Sequence, residues 1–118
     1  MRVKTSELEG AALDWAVGVA INCKPIMTEI YGVHILGRSI MREVEEGRIC
    51  PSSNWSQGGP LIAHYAMKFM GHQDGFVAIC SASESALWAT SHLVAAMRTI
   101  AAAELGDEVD VPEELCSE

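Results

Sequence analysis

The sequence predicts a small α+β domain in which an N-terminal and a C-terminal helix pack on a short β-sheet. Three observations carry that prediction. Two stretches, one near each end, repeat apolar residues at helical spacing. Between them Phe76-Val77-Ala78-Ile79-Cys80 is short and wholly apolar, as in a strand buried on both faces. Glycines, prolines and serines punctuate the chain around these segments. At 118 residues it reads as a single domain, 1–118, with an acidic tail over 106–118, long enough to bury a core without disulfide or metal staples.

The first helix is expected over Ser6 to Asn22. Ser6 and Glu9 fit a capping box, and Leu8, Ala12, Trp15 or Ala16, and Val19 share one face, widened by Leu13, Val17 and Ala20. Gly10 leaves the start open by a turn, with Glu9 as the other candidate, and Lys24-Pro25 ends the helix. Asp14 faces either solvent or a site. Ile26 to Leu36, rich in β-branched and aromatic residues, reads as a strand closed by Gly37. Ser39 to Glu46 reads as a short helix, with Arg42 and Glu46 spaced to pair, and Arg48-Ile49-Cys50 as a short strand. Pro51 to Gly59 has the composition of a loop. A third helix then runs from Pro60 to Met70 on Leu61, Ile62, Tyr65, Ala66, Phe69 and Met70, and His72 to Gly75 form a turn into the apolar strand. The last helix, capped by Ser91 or Thr90, follows Leu93, Ala96, Met97 and Ile100 to Leu105, and Gly106 ends it. Beyond it Val109, Val111 and Leu115 alternate well enough to dock the tail on the domain.

Charge limits the partners. The chain carries 16 acidic and 8 basic side chains, a net −8, and seven of the acids fall between Glu104 and Glu118. Such a field repels duplex nucleic acid, whose binding depends on Lys and Arg, although one Arg with a few backbone N–H groups can still hold a phosphate. No apolar run approaches the ~20 residues that span a bilayer. Met1-Arg2-Val3-Lys4 is basic, but Ser6-Glu7-Leu8-Glu9 stands where a signal peptide needs its apolar region, so the expected location is the cytoplasm.

Catalytic and metal signatures do not emerge. Cys23, Cys50, Cys80 and Cys116 lie about thirty residues apart and read as reduced structural thiols. His34, His64, His72 and His92 lack metal-ligand spacing, and Ser81, Ser83 and Ser85 belong to a loop or strand edge. No metal, cofactor or catalytic residue is assigned. The remaining oddity is 53-SNWSQGGP-60, which sets an indole in the most turn-prone segment of the chain. It admits two readings. Asn54 and Ser56 could cap local amides while Trp55 lids the core. Alternatively, Trp55 could stack a ligand, Asn54 and Gln57 read it, and Gly58-Gly59 admit it to a helix N-terminus, which favours anions. A protein interface would use the same tryptophan equally well.

Three segments, VKTSELEGAALDWAV at 3–17, PSSNWSQGGPLI at 51–62 and LVAAMRTIAAAELGDEVDVPEEL at 93–115, resemble the NinX-type proteins of tailed phages and prophages, a domain of unknown function. The resemblance implies a phage-encoded accessory protein with no established enzymatic activity. It carries over Asp14, Trp15, Trp55, Gln57, Gly58, Gly59, Pro60 and Arg98. Where the family usually shows Thr-Asp-Trp, this chain has Ser53-Asn54-Trp55 and so lacks a carboxylate. Arg98 is expected either to pair with an acid such as Asp14 or to reach an anion.

The expectation is therefore a non-catalytic protein of the host cytoplasm that binds a small, nucleotide-derived ligand and sequesters a host defence signal. Its site would comprise Ser53, Asn54, Trp55, Gln57, Gly58, Gly59, Arg98, Asp14 and Trp15. The alternative is an acidic interaction module that inhibits or redirects a host protein. A homo-oligomer through the Ala-rich helix Leu93–Leu105 is open, since the same face could serve as core.

Overall fold

The computed structural model describes residues 1–22, 24–32, 39–80 and 83–115. Strand β1 (Arg2–Lys4) leads through a 3-10 turn at Thr5–Glu7 into α1 (Gly10–Ile21), followed by α2 (Pro25–Tyr31), α3 (Ile40–Glu45) and α4 (Trp55–His64). A three-stranded meander follows, β2 (Met67–His72), β3 (Gly75–Cys80) and β4 (Ser85–Ala89), then α5 (His92–Leu105), β5 (Glu108–Asp110) and a closing 3-10 turn at Glu113–Leu115. The α+β class therefore holds, with two antiparallel sheets: the meander in order β2-β3-β4, and a ribbon of β1 with β5.

Helix α5 is the middle layer. One side lies on β3 and β4, another on α1, and α4 packs against it as well. Being covered on two sides explains its composition: Ala95, Ala96 and Ala101 are fully buried with Met97, Thr99 and Ile100, and small side chains let sheet and helix approach together. The face considered for self-association is thus core. Helix α1 is buried nearly all round through Leu13, Ala16, Val17 and Ile21. Gly18 lets α3 close on it, since a Cβ there would stand 2.8 Å from Ile40 Cγ2.

Several expectations are corrected. Residues 26–31 are helical, because Pro25 sits at the first helical position and Ile26, Met27 and Tyr31 with Ile30 mark one helical face despite their β-branched neighbours; 33–38 lie outside the described residues. The Ser6–Glu9 capping box does not form: Thr5–Glu7 is a 3-10 turn, and α1 starts at Gly10 with Glu9 in the cap position without a side-chain cap bond. Arg42 is not the partner of Glu46. Arg48 is, and it also grips buried Glu43 in a bidentate pair, Nη2 to Oε2 at 2.9 Å and Nε to Oε1 at 3.2 Å. The helix expected from Pro60 starts earlier, at Trp55 under an Asn54 cap, and ends at His64, where Ala66 at φ +50 turns the chain into β2. The strand at Phe76 and the last helix, capped by Ser91 Oγ on the Val94 N–H, stand where the pattern puts them. The tail docks as expected, with Val109, Val111 and Leu115 buried. Cys50 and Cys80 are free thiols; Cys23 and Cys116 lie outside the described residues.

Candidate functional site: an aromatic cleft beside the Trp55 helix

The 53–60 segment divides its labour residue by residue. Asn54 caps α4, its Oδ1 accepting from the Ser56 N–H at 2.8 Å. The Gln57 side chain imitates a neighbouring strand: Oε1 accepts from the Cys50 N–H at 2.8 Å and Nε2 donates to the Arg48 carbonyl at 3.0 Å, while Tyr31 Oη donates to the same Oε1 at 2.8 Å. Residues 48–50 are held by this amide instead of by a strand partner, which is why the short strand expected there is absent. Gly58 is a packing residue, since a Cβ would meet Leu93 Cδ2 at 2.5 Å and the Pro51 carbonyl at 2.7 Å, and its absence brings α4 onto α5. Gly59 borders open space. Ser53 is exposed, its hydroxyl 3.5 Å from the Cys50 carbonyl.

Asp14 belongs to the same scaffold. Its buried carboxylate accepts from the Ser52 N–H at 2.9 Å and fixes the turn before α4 to α1. Burial raises its pKa, and the Ser52 hydrogen bonds pull it partly back. Burial likewise raises the Tyr31 phenol, with Asp14 and Cys50 adding to the shift. Trp15 is half-buried and packs against the core.

Arg98 does not pair with Asp14. Its Nε donates to the Leu8 carbonyl at 2.7 Å and its Nη1 to the Trp88 carbonyl at 2.9 Å, tying the start of the chain to the edge of β4. Burial lowers its pKa, opposed by Glu9 and Glu7. The guanidinium is thus committed to two carbonyls and is not among the residues that surround Trp55.

Trp55 is the motif's aromatic residue, and its side chain turns outward with 59 % of its surface exposed. It forms one wall of a cleft of about 290 Å³ completed by Phe76, Thr90, Ser91, His92 and Leu93. Within the same lining the His92 imidazole stacks on Phe76, with centroids 3.7 Å apart and planes 26° apart, while Phe69 meets His92 edge-on at 5.0 Å. Such ring pairs contribute roughly 0.5–1.5 kcal/mol beyond area burial. The cleft lies at the N-terminus of the fourteen-residue α5, whose first amides have no intrahelical acceptor. A larger hollow of about 720 Å³ lies between the β1–β5 ribbon and β4. Two of its polar side chains are already engaged: Arg2 pairs with Glu108 at 3.1 Å, and Thr5 Oγ1 donates to the Asp107 carbonyl. The smaller cleft is the better candidate because it joins the exposed Trp55 indole to the Phe76 and His92 rings, whereas no aromatic residue lines the hollow. Sequence reasoning found Trp55 but missed Phe76 and His92, whose meeting depends on the β3–α5 packing.

Fold and site together define a small α+β domain that carries an aromatic cleft at a helix N-terminus, on a scaffold where the invited polar residues are spent internally. The chain belongs to the family described as Bacteriophage P22, NinX, whose model matches residues 4–104. Among curated proteins, none matches the chain. No helix of the described residues is long and apolar enough to cross a membrane, and the described residues hold no cluster of His, Cys, Asp and Glu fit for a metal ion.

Proposed function

We propose that this chain is a non-catalytic phage accessory protein that binds a small, nucleotide-derived ligand in the Trp55 cleft and so sequesters a host defence signal in the cytoplasm. The observation that supports this reading is a 59 % exposed indole lining the same cavity of about 290 Å³ as a stacked His92–Phe76 pair. That volume sits at the small end of ligand pockets, roughly 300–1,000 Å³, and suits one planar ring system better than a dinucleotide. A base would stack on Trp55. A phosphate would meet the α5 N-terminus in place of Arg98, which has spent its donors on carbonyls.

Native mass spectrometry of protein purified from infected cells is expected to show a retained mass of a few hundred daltons. In titrations with a nucleotide panel, Trp55→Ala is expected to weaken binding about tenfold or more, as loss of one stacking partner does. A protein that emerges empty, with the parent and Trp55→Ala unmoved by every nucleotide in thermal shift, would refute the reading. The acidic-module alternative draws on the exposed carboxylates of Asp107, Glu108, Asp110, Glu113 and Glu114. Two of these are partly neutralised, Glu108 by Arg2 and Asp110 by the Met1 amino group, which weakens the acidic face it requires.

A further inference from the structure

We infer that the edge of β2 left unpaired among the described residues is a self-association seam, on which a second copy of this chain pairs antiparallel, β2 against β2, to make one six-stranded sheet. The inference is independent of the ligand reading. Ala78 and Leu87 are register partners, and Thr99 Oγ1 contacts both, accepting from the Leu87 N–H at 3.2 Å and donating to the Ala78 carbonyl at 3.0 Å. Both groups therefore point into the β3–β4 seam. The Trp88 carbonyl, one residue on, points the other way and is taken by Arg98. Antiparallel strands alternate bonded and non-bonded pairs, so Ala78, which faces β4, is a non-bonded partner of Phe69. The N–H and C=O groups of Met67, Phe69 and Gly71 thus face away from β3, while those of Lys68, Met70 and His72 face it.

The two sheet edges are treated differently. Arg98 covers part of the β4 edge, and the β1–β5 ribbon lies nearby. Among the described residues, β2 pairs with β3 alone, and its six residues contain no proline and one lysine. Unmanaged edges of that length recruit another strand. Charge points to a second copy. A chain of net −8 repels its own kind, but Asp74 is the one acid between Ala66 and Cys80, so two copies meeting at this hairpin bring few of their carboxylates together. The side chains are self-complementary about Phe69. Met67 would face Gly71 of the partner, Phe69 would face Phe69, and Lys68 would lie opposite Met70 without a like-charge contact. On the solvent face the row Met70, Val77, Trp88 would continue into its symmetry mate; Met70 is 60 % and Trp88 37 % exposed. About six backbone bonds would form, a small interface that predicts a weak dimer.

Sedimentation and amide exchange test this together on the full chain. The expected mass rises with concentration from 12.7 kDa toward twice that value. Over the same range the Met67, Phe69 and Gly71 amides gain protection, while those of Lys68, Met70 and His72 are protected throughout. Gly71→Pro, which removes an outward N–H and leaves the β3 ladder intact, is expected to weaken the dimer on the order of tenfold or more. A chain that stays at 12.7 kDa up to millimolar concentration overturns the inference. So does a dimer in which the Met67, Phe69 and Gly71 amides exchange as fast as in the monomer, or one indifferent to Gly71→Pro in a variant whose Lys68, Met70 and His72 amides remain protected.

Discussion

Thr99 is fully buried midway along α5, and its hydroxyl touches three backbone groups: the Ala95 and Ala78 carbonyls at 2.9 and 3.0 Å, and the Leu87 N–H at 3.2 Å. One hydroxyl thereby locks the helix to two strands. Thr99→Val keeps the shape and removes the hydroxyl's bonds to Ala78, Ala95 and Leu87, so unfolding free energy is expected to fall by about 1–3 kcal/mol, read from denaturant melts. Nothing in the Ala-rich run marks this threonine beforehand beyond its being a lone polar residue there. Asp14 makes the opposite kind of prediction. Its folded pKa lies above the ordinary 3.8, chiefly through burial, so the folded state holds the proton more tightly than the unfolded chain. Stability is therefore lost as pH climbs through the window above 3.8, until the folded carboxyl has ionised. Asp14→Asn keeps an acceptor for the Ser52 N–H without the charge. Thermal melts across that window should show the variant flatter than the parent and no less stable at neutral pH. Asp14→Ala, which strands the Ser52 amide, should instead lose about 1–3 kcal/mol at every pH.

Elements were legible wherever period, propensity and punctuation agreed, and misread wherever two of them disagreed. Ser91 to Gly106 offered all three signals, and α5 follows them. At Pro25 to Tyr31, β-branched residues argued for a strand while the spacing of Ile26, Met27, Ile30 and Tyr31 was helical, and burial sided with spacing. From Trp55 to Gly59 the composition argued for a loop, yet Asn54 capping and the close approach of Gly58 to Leu93 make a helix there. The costliest misreading is the α4–β2 junction. Leu61, Ile62, Tyr65, Phe69 and Met70 keep a helical period through a point where the chain turns at Ala66, φ +50, a conformation that ordinarily marks itself with glycine. That alanine is strained, so Ala66→Gly is expected to raise stability by about 0.5–1 kcal/mol despite the greater freedom of the unfolded chain. A lower melting temperature would mean that the Ala66 side chain contributes packing that outweighs its backbone strain.

At the scale of the whole molecule, the candidate site was half legible: the 53–60 motif stood out by composition, but what it does depends on contacts made from 31, 50 and 93, which no local pattern encodes. Trp55 could be named from sequence; that Gln57 and Arg98 are occupied by Cys50, Arg48, Leu8 and Trp88 backbone could not. The acidic tail shows the same dependence on distant partners. By composition it is a solvated run of carboxylates, and truncation after Leu105 would be the natural probe of an acidic partner surface. In the fold, however, β5 pairs residue by residue with β1, Val3 against Val109, and the Thr5 N–H donates to the Asp107 carbonyl. Val109, Val111 and Leu115 are buried, and burial of such side chains stabilises by roughly 1.5–3 kcal/mol each. Removing everything beyond Leu105 is therefore expected to cost several kcal/mol, release β1, and lower the melting temperature sharply in circular dichroism. A partner lost on truncation would then report unfolding as readily as lost charge. Glu113→Gln with Glu114→Gln separates the two, since both side chains are exposed and neither is needed for the β1–β5 ladder. That variant should melt with the parent, within about 0.5 kcal/mol, and only a partner that reads negative charge should let go of it.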